Sequence, residues 1–329
     1  MHFFWRLLAL CCVASAEASM QPPMLLPQVE MMLPDIPREV DRAETDIDHD
    51  MLDRSRGWLV NHLDNLSGGI DSFFVDVFFD ETLAQENVKG SLAKVSFYTR
   101  REIGDPVDYK FGASVRLVLP HTNERLNLLL ESEDEQAREG DPLESIENPT
   151  YSAALRFIIR ETEYWSTNID AGVKWAVPPD PFVRLRARRL AYFDHWNMRI
   201  TQTLSYFTST GYGEDTSLVF DHPLSTERLL RFETKASYLL NDDFFELRYG
   251  LGSYRELSRK AAIAWVGQAR GDTEYGATFD NYSAGFRYRR QVYKSWMFFE
   301  VAPGLEWSGD KDYETTPVIM FRLEAVMAN

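Results

Sequence analysis

The sequence predicts an all-β protein, an antiparallel transmembrane β-barrel of about fourteen strands (about twelve to sixteen) preceded by a short N-terminal amphipathic helix. Three observations predict this fold. From about residue 89 onward, apolar and polar residues alternate in segments of about ten residues, separated by turn signals. One side of these segments is almost free of charge, and the other carries Gly, Ser, Ala and many Arg. Aromatic residues concentrate where the segments end.

The bulk composition excludes two classes of protein. The 329-residue chain has a formal net charge of −16 and a sequence pI of about 4.9, whereas a protein that binds nucleic acid needs a basic face. Mean hydropathy is −0.34, and no run of about 18 uncharged apolar residues follows the N-terminus. The sequence therefore does not predict a bundle of membrane helices.

Residues 1–16 have the order of parts of a secretory signal peptide. Arg6 lies in a short first region, an apolar stretch covers 7–13, and Ala14-Ser15-Ala16 supplies the small residues of a cleavage site. We expect cleavage after Ala16, or after Ala18 by the same rule. A buried N-terminal helix is the alternative interpretation.

Both cysteines of the chain, Cys11 and Cys12, fall inside this segment. A lipid anchor on Cys11 is disfavoured because the preceding residue, Leu10, is not small. The mature protein is therefore expected to have no disulfide, no thiolate metal site and no cysteine nucleophile.

Two further segments precede the regular region. Residues 17–50 combine prolines with an acidic stretch that lacks apolar periodicity, which predicts a disordered linker. Residues 51–80 are predicted to form an amphipathic helix, at about 51–67, and a periplasmic segment. Gly68-Gly69 ends the helix. The apolar stripe of this helix suits simple packing, a membrane surface or the mouth of the barrel. The barrel itself is assigned to 89–329.

The polar side of the strands separates a membrane barrel from a soluble sandwich. In "FGASVRLVL", Gly112, Ser114 and Arg116 share one side, and in the last strand Arg322 and Glu324 do so. A sandwich exposes such a side to bulk water, where Lys, Thr, Ser and Glu dominate. Small residues together with Arg, Glu and Asp indicate an enclosed wet interior. The opposite side is almost free of charge along strands of about ten residues, a length that matches the hydrocarbon thickness when the strands are tilted.

Aromatic residues beside the turns predict the positions of the membrane interfaces. Amphipathic rings favour the headgroup level, whereas a general preference of aromatics for strands does not explain their placement at strand ends. The predicted interfacial residues are Trp165, Trp196, Trp296 and Trp307.

Turn lengths predict the orientation. An even number of strands places both termini in the periplasm, together with hairpins near 120–124, 161–165, 193–196, 223–226, 257–260 and 292–295. The long acidic segment "ESEDEQAREGDPLESIENP" is then extracellular. The tight turn "PPDP" also becomes extracellular, against the usual rule, and we ascribe this exception to a missed pair of strands nearby.

Several stretches resemble a family of uncharacterised proteobacterial outer-membrane β-barrel proteins. They are "GWLVNHLDNLSGGIDSFF", "VPPDPFVRLRARR", "TSLVFDHPLSTERLLRFE" and the ending "SWMFFEVAPGLEWSGDKDYETTPVIMFRLEAVM". The resemblance covers most of the chain from Trp58 onward. It implies a barrel, a signal peptide and an outer-membrane location, and it implies no functional residue.

Assigning the charged side inward predicts a net-basic lumen in an acidic chain. The main predicted cluster comprises Arg116, Arg156, Arg160, Arg184, Arg186, Arg188, Arg231, Arg287, Arg289, Arg322, Glu233, Glu300, Glu306 and Glu324. The same assignment adds Lys94, Lys174, Arg199, Lys235, Arg248, Glu131, Asp170 and Glu246. This set suits either an internal ion-pair network that fills the bore or a path that favours anions.

The sequence does not favour an enzyme. His195 and His222 lack a serine at a suitable strand spacing for a barrel lipase. A barrel protease needs paired acids and a histidine at one rim, but Asp242-Asp243 and the two histidines are predicted at opposite ends. The histidines are too sparse for a metal site, and "GYGEDT" and "GLGSY" lack the helix that follows a phosphate loop.

Three functional hypotheses follow, and none requires a cofactor. The first is a passive channel or binding pore, with anion preference. The second is a closed-lumen barrel that has a structural or surface-interaction role through acidic extracellular loops, and the third is a barrel lipase or protease. Outer-membrane lipids and lipopolysaccharide are the expected surroundings, with the barrel-assembly machinery as the partner during biogenesis and no nucleic acid.

Overall fold

A computed structural model describes residues 91–119, 125–132, 151–162, 164–193, 195–293 and 296–328. Within them the chain forms one closed barrel of fourteen antiparallel strands. The predicted fold class and strand number are therefore confirmed. The predicted signal peptide, linker and amphipathic helix lie outside the described residues.

The strands alternate inward and outward side chains because the side-chain period of a strand is two. Their bounds are β1 (Leu92–Glu102), β2 (Asp108–Val118), β3 (Leu126–Ser132), β4 (Tyr151–Glu161), β5 (Trp165–Lys174), β6 (Asp180–Phe193), β7 (Trp196–Phe207), β8 (Gly211–Ser225), β9 (Arg228–Leu239), β10 (Phe245–Ser258), β11 (Ala261–Asp272), β12 (Thr278–Tyr293), β13 (Met297–Ser308) and β14 (Thr316–Ala328). A single 3-10 turn, Gly309–Lys311, follows β13.

The barrel closes between its first and last strands. β14 pairs antiparallel with β1 over the whole of β1, from Leu92 opposite Ala328 to Glu102 opposite Val318. This pairing satisfies the backbone groups of β14 on both sides, since β13 flanks its other edge. A strand that is apolar on one face and charged on the other can therefore end the regular structure without an exposed edge.

The connections divide between two ends of the barrel. At the end where β1 begins, which we call the terminal end, short turns such as 226–227 and 259–260 join the strands. At the opposite end, the loop end, β3 stops and β4 starts. Segments 103–107, 175–179, 208–210, 240–244, 273–277 and 309–315 connect the other strands there. The "PPDP" turn belongs to the loop end without any missed pair of strands, so the explanation by a counting error was wrong.

The outer wall is apolar, and the inner wall holds the polar side chains. Phe111 is 51% exposed and Leu155 is 47% exposed on the outside, whereas their inward neighbours Gly112 and Arg156 are buried. No helix in the described part of the chain has the length and hydropathy to span a bilayer.

Aromatic rings mark both margins of this outer wall. At the terminal end, the exposed rings are Tyr164, Trp165, Phe193, Trp196 and Tyr293. At the loop end, they are Tyr109, Trp175, Tyr206, Tyr212, Tyr282 and Tyr313. The wall thus has the profile of a surface adapted to a bilayer, with an apolar band between two aromatic belts.

Candidate functional site

Among the described residues, the densest group of interacting charged side chains lies on the inner wall of the barrel. Inward positions on β12, β13, β14 and β1 hold a group of charged side chains that we call the seam cluster: Arg287, Arg289, Glu300, Arg322, Glu324 and Lys94. Strand register brings them together, since Arg289 lies opposite Glu300 and Glu300 opposite Arg322.

Each carboxylate of the seam cluster is shared by several cations. Arg287 donates two hydrogen bonds to Glu300, from Nε at 2.9 Å and from Nη2 at 3.1 Å, and Arg289 Nη1 donates a third at 3.4 Å. Glu324 accepts from Arg289 and Arg322 and lies 3.5 Å from Lys94 Nζ. Glu300 and Glu324 are each 1% exposed, so solvent screens these pairs little.

Aromatic rings support the guanidinium groups of this cluster. Arg322 lies over the ring of Tyr98, with Cζ 5.1 Å from the ring centroid, and Arg289 lies over Phe298 at 5.0 Å. Such stacking favours a planar cation and fixes its orientation. Arg289 and Arg322 are therefore held by carboxylates and by aromatic rings together.

A second network, the β5 cluster, centres on Asp170. Arg156 donates to Asp170 from Nε at 2.7 Å and from Nη2 at 2.9 Å, and Arg184 donates from Nε at 3.1 Å and from Nη2 at 3.0 Å. Arg184 also lies 3.5 Å from Glu131. Asp170 is 0% exposed, and its two bidentate partners come from the strands on either side of β5.

Three arginines of β6 form a row along the inner wall. Arg184, Arg186 and Arg188 point inward, because their cross-strand neighbours on β7 are the inward residues of that strand. Arg186 lies opposite Asn168 and Thr203, and Arg188 lies opposite Ser166 and Thr201. Arg186 also interacts electrostatically with the carboxylate of Asp170.

Ion pairs on β8 and β9 include carboxylates that the sequence analysis left out. Arg231 donates to Asp221 from Nε at 2.6 Å and from Nη2 at 2.9 Å. Lys235 Nζ lies 3.4 Å from Asp215, in a half-exposed pair. Alternation along β8 could have identified both acids, since Asp215, Ser217, Val219 and Asp221 share one face.

A further series of ion pairs extends to the loop end of the barrel. Arg100 donates two hydrogen bonds to Glu306, at 2.9 and 2.8 Å, and one to Glu102 at 2.6 Å. Lys311, in the turn after β13, donates to Glu102, and this hydrogen bond raises the pKa of the exposed Lys311. Arg100 and Glu102 were absent from the predicted set.

One predicted interior residue lies elsewhere. A β-bulge between Ile158 and Arg160 shifts the register, so that Arg160 lies opposite Thr167 and next to Glu161, which lies opposite Ser166. The extra residue reverses the alternation and places Arg160 on the outward face, where it is exposed. Arg116 and Glu233 keep inward register, opposite Leu129 and Gly250 respectively.

The predicted interfacial tryptophans lie at strand ends. Trp165 begins β5, Trp196 begins β7 and Trp296 directly precedes β13, all at the terminal end, and Trp307 lies at the loop end of β13. Trp196 stacks on His222 with ring centroids 4.5 Å apart. The Nδ1 atom of His222 lies 2.8 Å from the carbonyl oxygen of His195.

His195 lies in the turn between β6 and β7, whereas His222 lies within β8. In the described ranges no group of three or more His, Cys, Asp or Glu is placed to hold a metal ion. Asp242 and Asp243 lie in the 240–244 connection at the loop end, away from the histidines at the terminal end. The interior charges therefore form the candidate site, and they can bind or guide ions and polar solutes.

Comparison with known proteins shows similarity in fold. No family model and no curated protein matches the chain. Among solved structures the chain is similar to a "bacterial polysaccharide outer membrane secretin" (10% identity, TM-score 0.45, covering 72% of this chain and 98% of that one). It is also similar to a loop-deletion mutant of OmpT, an outer membrane protein of Vibrio cholerae (6%, 0.44, 72% and 98%), and to the KdgM porin in complex with oligogalacturonate (7%, 0.35, 70% and 98%). At these values function has to be argued from the residues of this chain.

Proposed function

We propose that this chain is an outer-membrane β-barrel that acts as a passive channel or binding pore with a preference for anions. In this proposal the signal peptide is cleaved, both termini face the periplasm, and the loop end faces outward. Outer-membrane lipids and lipopolysaccharide surround the apolar band, and the barrel-assembly machinery inserts the chain. The proposal assigns no enzymatic activity.

The observation that carries the anion preference is the β6 row. Arg184, Arg186 and Arg188 are successive inward residues of one strand. Guanidinium groups stay charged at physiological pH, and a row of them along an enclosed wall favours anions over cations. The additional interior carboxylates Asp215 and Asp221 make the positive excess smaller than the sequence alone predicts.

Ion selectivity in a planar bilayer tests this proposal. Across a KCl gradient we expect a reversal potential on the chloride side, and we expect Arg186→Gln to move it toward zero. Arg189→Gln is the matched control: Arg189 lies on the same strand but faces outward, over the ring of Trp165 at 5.3 Å. Cation selectivity in the parent protein, or equal shifts in the two variants, would contradict the anion preference.

The seam cluster favours a second candidate, a closed-lumen structural barrel. Its carboxylates and Arg289 are almost fully buried, which is the property of a network that fills space. A barrel of this kind passes no ions but still shows heat-modifiable gel migration in the outer-membrane fraction. Absence of single-channel conductance together with that migration would select this second function.

A further inference from the structure

The outer wall has a groove that neither the charged interior nor the aromatic belts explain. It spans β9 to β13 and has a volume of about 560 Å³. Leu251, Trp265, Phe286 and Leu305 form its sides, and Gly267 and Ala284 lie at its base. Trp265 and Phe286 approach each other with ring centroids 5.4 Å apart. Small outward residues flanked by large rigid ones thus produce a depression in the outer wall.

A proline interrupts the sheet at this groove. Pro303 lines the groove and lies inside β13, which is flanked on both sides by other strands. The ladder between β12 and β13 has a gap between the pairs Gly285–Gly304 and Tyr288–Val301. Proline has no backbone N–H to donate and is confined mainly to edge strands or bulges in ordinary sheets. Pro303 lies in this gap of the ladder, and its ring adds to the apolar lining of the groove.

The chemistry of the groove limits what it can hold. Its exposed lining is almost entirely apolar, with Ser253 as its one polar side chain. A charged or sugar headgroup would lose its hydration there without compensation. The volume lies in the range of about 300–1,000 Å³ that is typical of sites for small ligands. A stable contact with a second protein copy needs about 800 Å² from each partner, far more than this groove offers.

From this geometry we infer that the groove is a binding site for one hydrocarbon chain of a membrane lipid. The inference rests on the proposed membrane location, because Trp265 and Phe286 lie within the apolar band, between the two aromatic belts. A hydrocarbon chain in the groove contacts protein on several sides, whereas a hydrocarbon chain on a flatter part of the outer wall contacts it on one side. Dispersion contacts therefore favour the groove. The lipid in this site exchanges more slowly than the surrounding bilayer lipid.

Photocrosslinking in vesicles tests this inference. The full chain is reconstituted with phosphatidylcholine that carries a diazirine in the middle of one acyl chain, irradiated, and mapped by peptide mass spectrometry. We expect adducts at 265–267 and 284–286 to be at least several-fold more frequent than at the exposed β4–β5 wall around Leu155 and Ile169. Equal frequencies at the two walls would overturn the inference while leaving the membrane location intact.

Filling the groove supplies the matched comparison. Ala284→Phe, or the milder Ala284→Leu if the first does not fold, should reduce adducts at 265–267 to the level of the β4–β5 wall. Ala171→Phe adds the same ring to that other wall and should leave the groove adducts unchanged. Persistent adducts in the filled variants, or Gly267→Cys dimers with no lipid adducts, would refute a lipid site. Absence of adducts on every outward strand would instead refute the proposed membrane location.

Discussion

Asp170→Asn tests whether the β5 cluster stabilises the barrel. The substitution keeps the shape of the side chain but removes the charge that Arg156 and Arg184 share. Four hydrogen bonds of 2.7 to 3.1 Å converge on this carboxylate, and an amide can replace only part of their acceptor capacity. Removing one partner of a buried charge pair costs about 3–5 kcal/mol, because the remaining charge stays desolvated.

The assay is reversible urea unfolding in phospholipid vesicles, followed by tryptophan fluorescence. We expect Asp170→Asn to lower the free energy of unfolding by about 3–5 kcal/mol. Asp215→Asn is the control, since Asp215 is 39% exposed and its partner Lys235 34% exposed at 3.4 Å. Exposed pairs contribute about 0–1 kcal/mol. Equal losses in the two variants would refute the reasoning that burial decides the strength of these pairs.

Three further predictions use the same unfolding assay. Gly172→Ala should lower the free energy of unfolding by about 1–3 kcal/mol, because a Cβ there would lie 2.4 Å from a carbonyl oxygen of β4. Gly250→Ala is the control and should lower it much less, since the nearest atom to its Cβ would be 3.8 Å away. Equal losses would contradict this prediction. Trp196→Ala should cost at least about 0.5–1.5 kcal/mol through the lost stack on histidine, and an unchanged unfolding midpoint would contradict it. Lys311→Gln should lower the free energy of unfolding by under about 1 kcal/mol at neutral pH. Glu102 raises the pKa of Lys311 in the folded protein. The stability difference between the parent protein and the variant should therefore be complete below the ordinary lysine pKa and disappear as the pH rises through the raised pKa.

The alternation of residues was sufficient to predict the architecture. Each strand repeats the same two-residue period, so the inward placement of Arg322 and Glu324 requires no knowledge of neighbouring strands. The number of strands and the closure of β14 on β1 follow from counting these segments. The alternation involves only residues that are adjacent in sequence, so it can be recognised without the structure.

The partners inside the barrel could not be predicted in the same way. Arg100 and Glu306 are 206 positions apart, and only the register of the closed barrel brings them together. The bulge before Arg160 reverses one strand end without an evident mark in the sequence. The carboxylates of β8 followed the alternation, but in "TSLVFDHPL" a histidine and a proline directly follow Asp221 and obscure the pattern.

The pairing of β1 with β14 has a consequence for biogenesis. The two strands that meet are separated by the entire length of the described chain, so the longest loop must close in the final step of assembly. Until the thirteen-residue strand β14 pairs with β1, the two edges of the sheet present unpaired backbone groups to any other strand nearby.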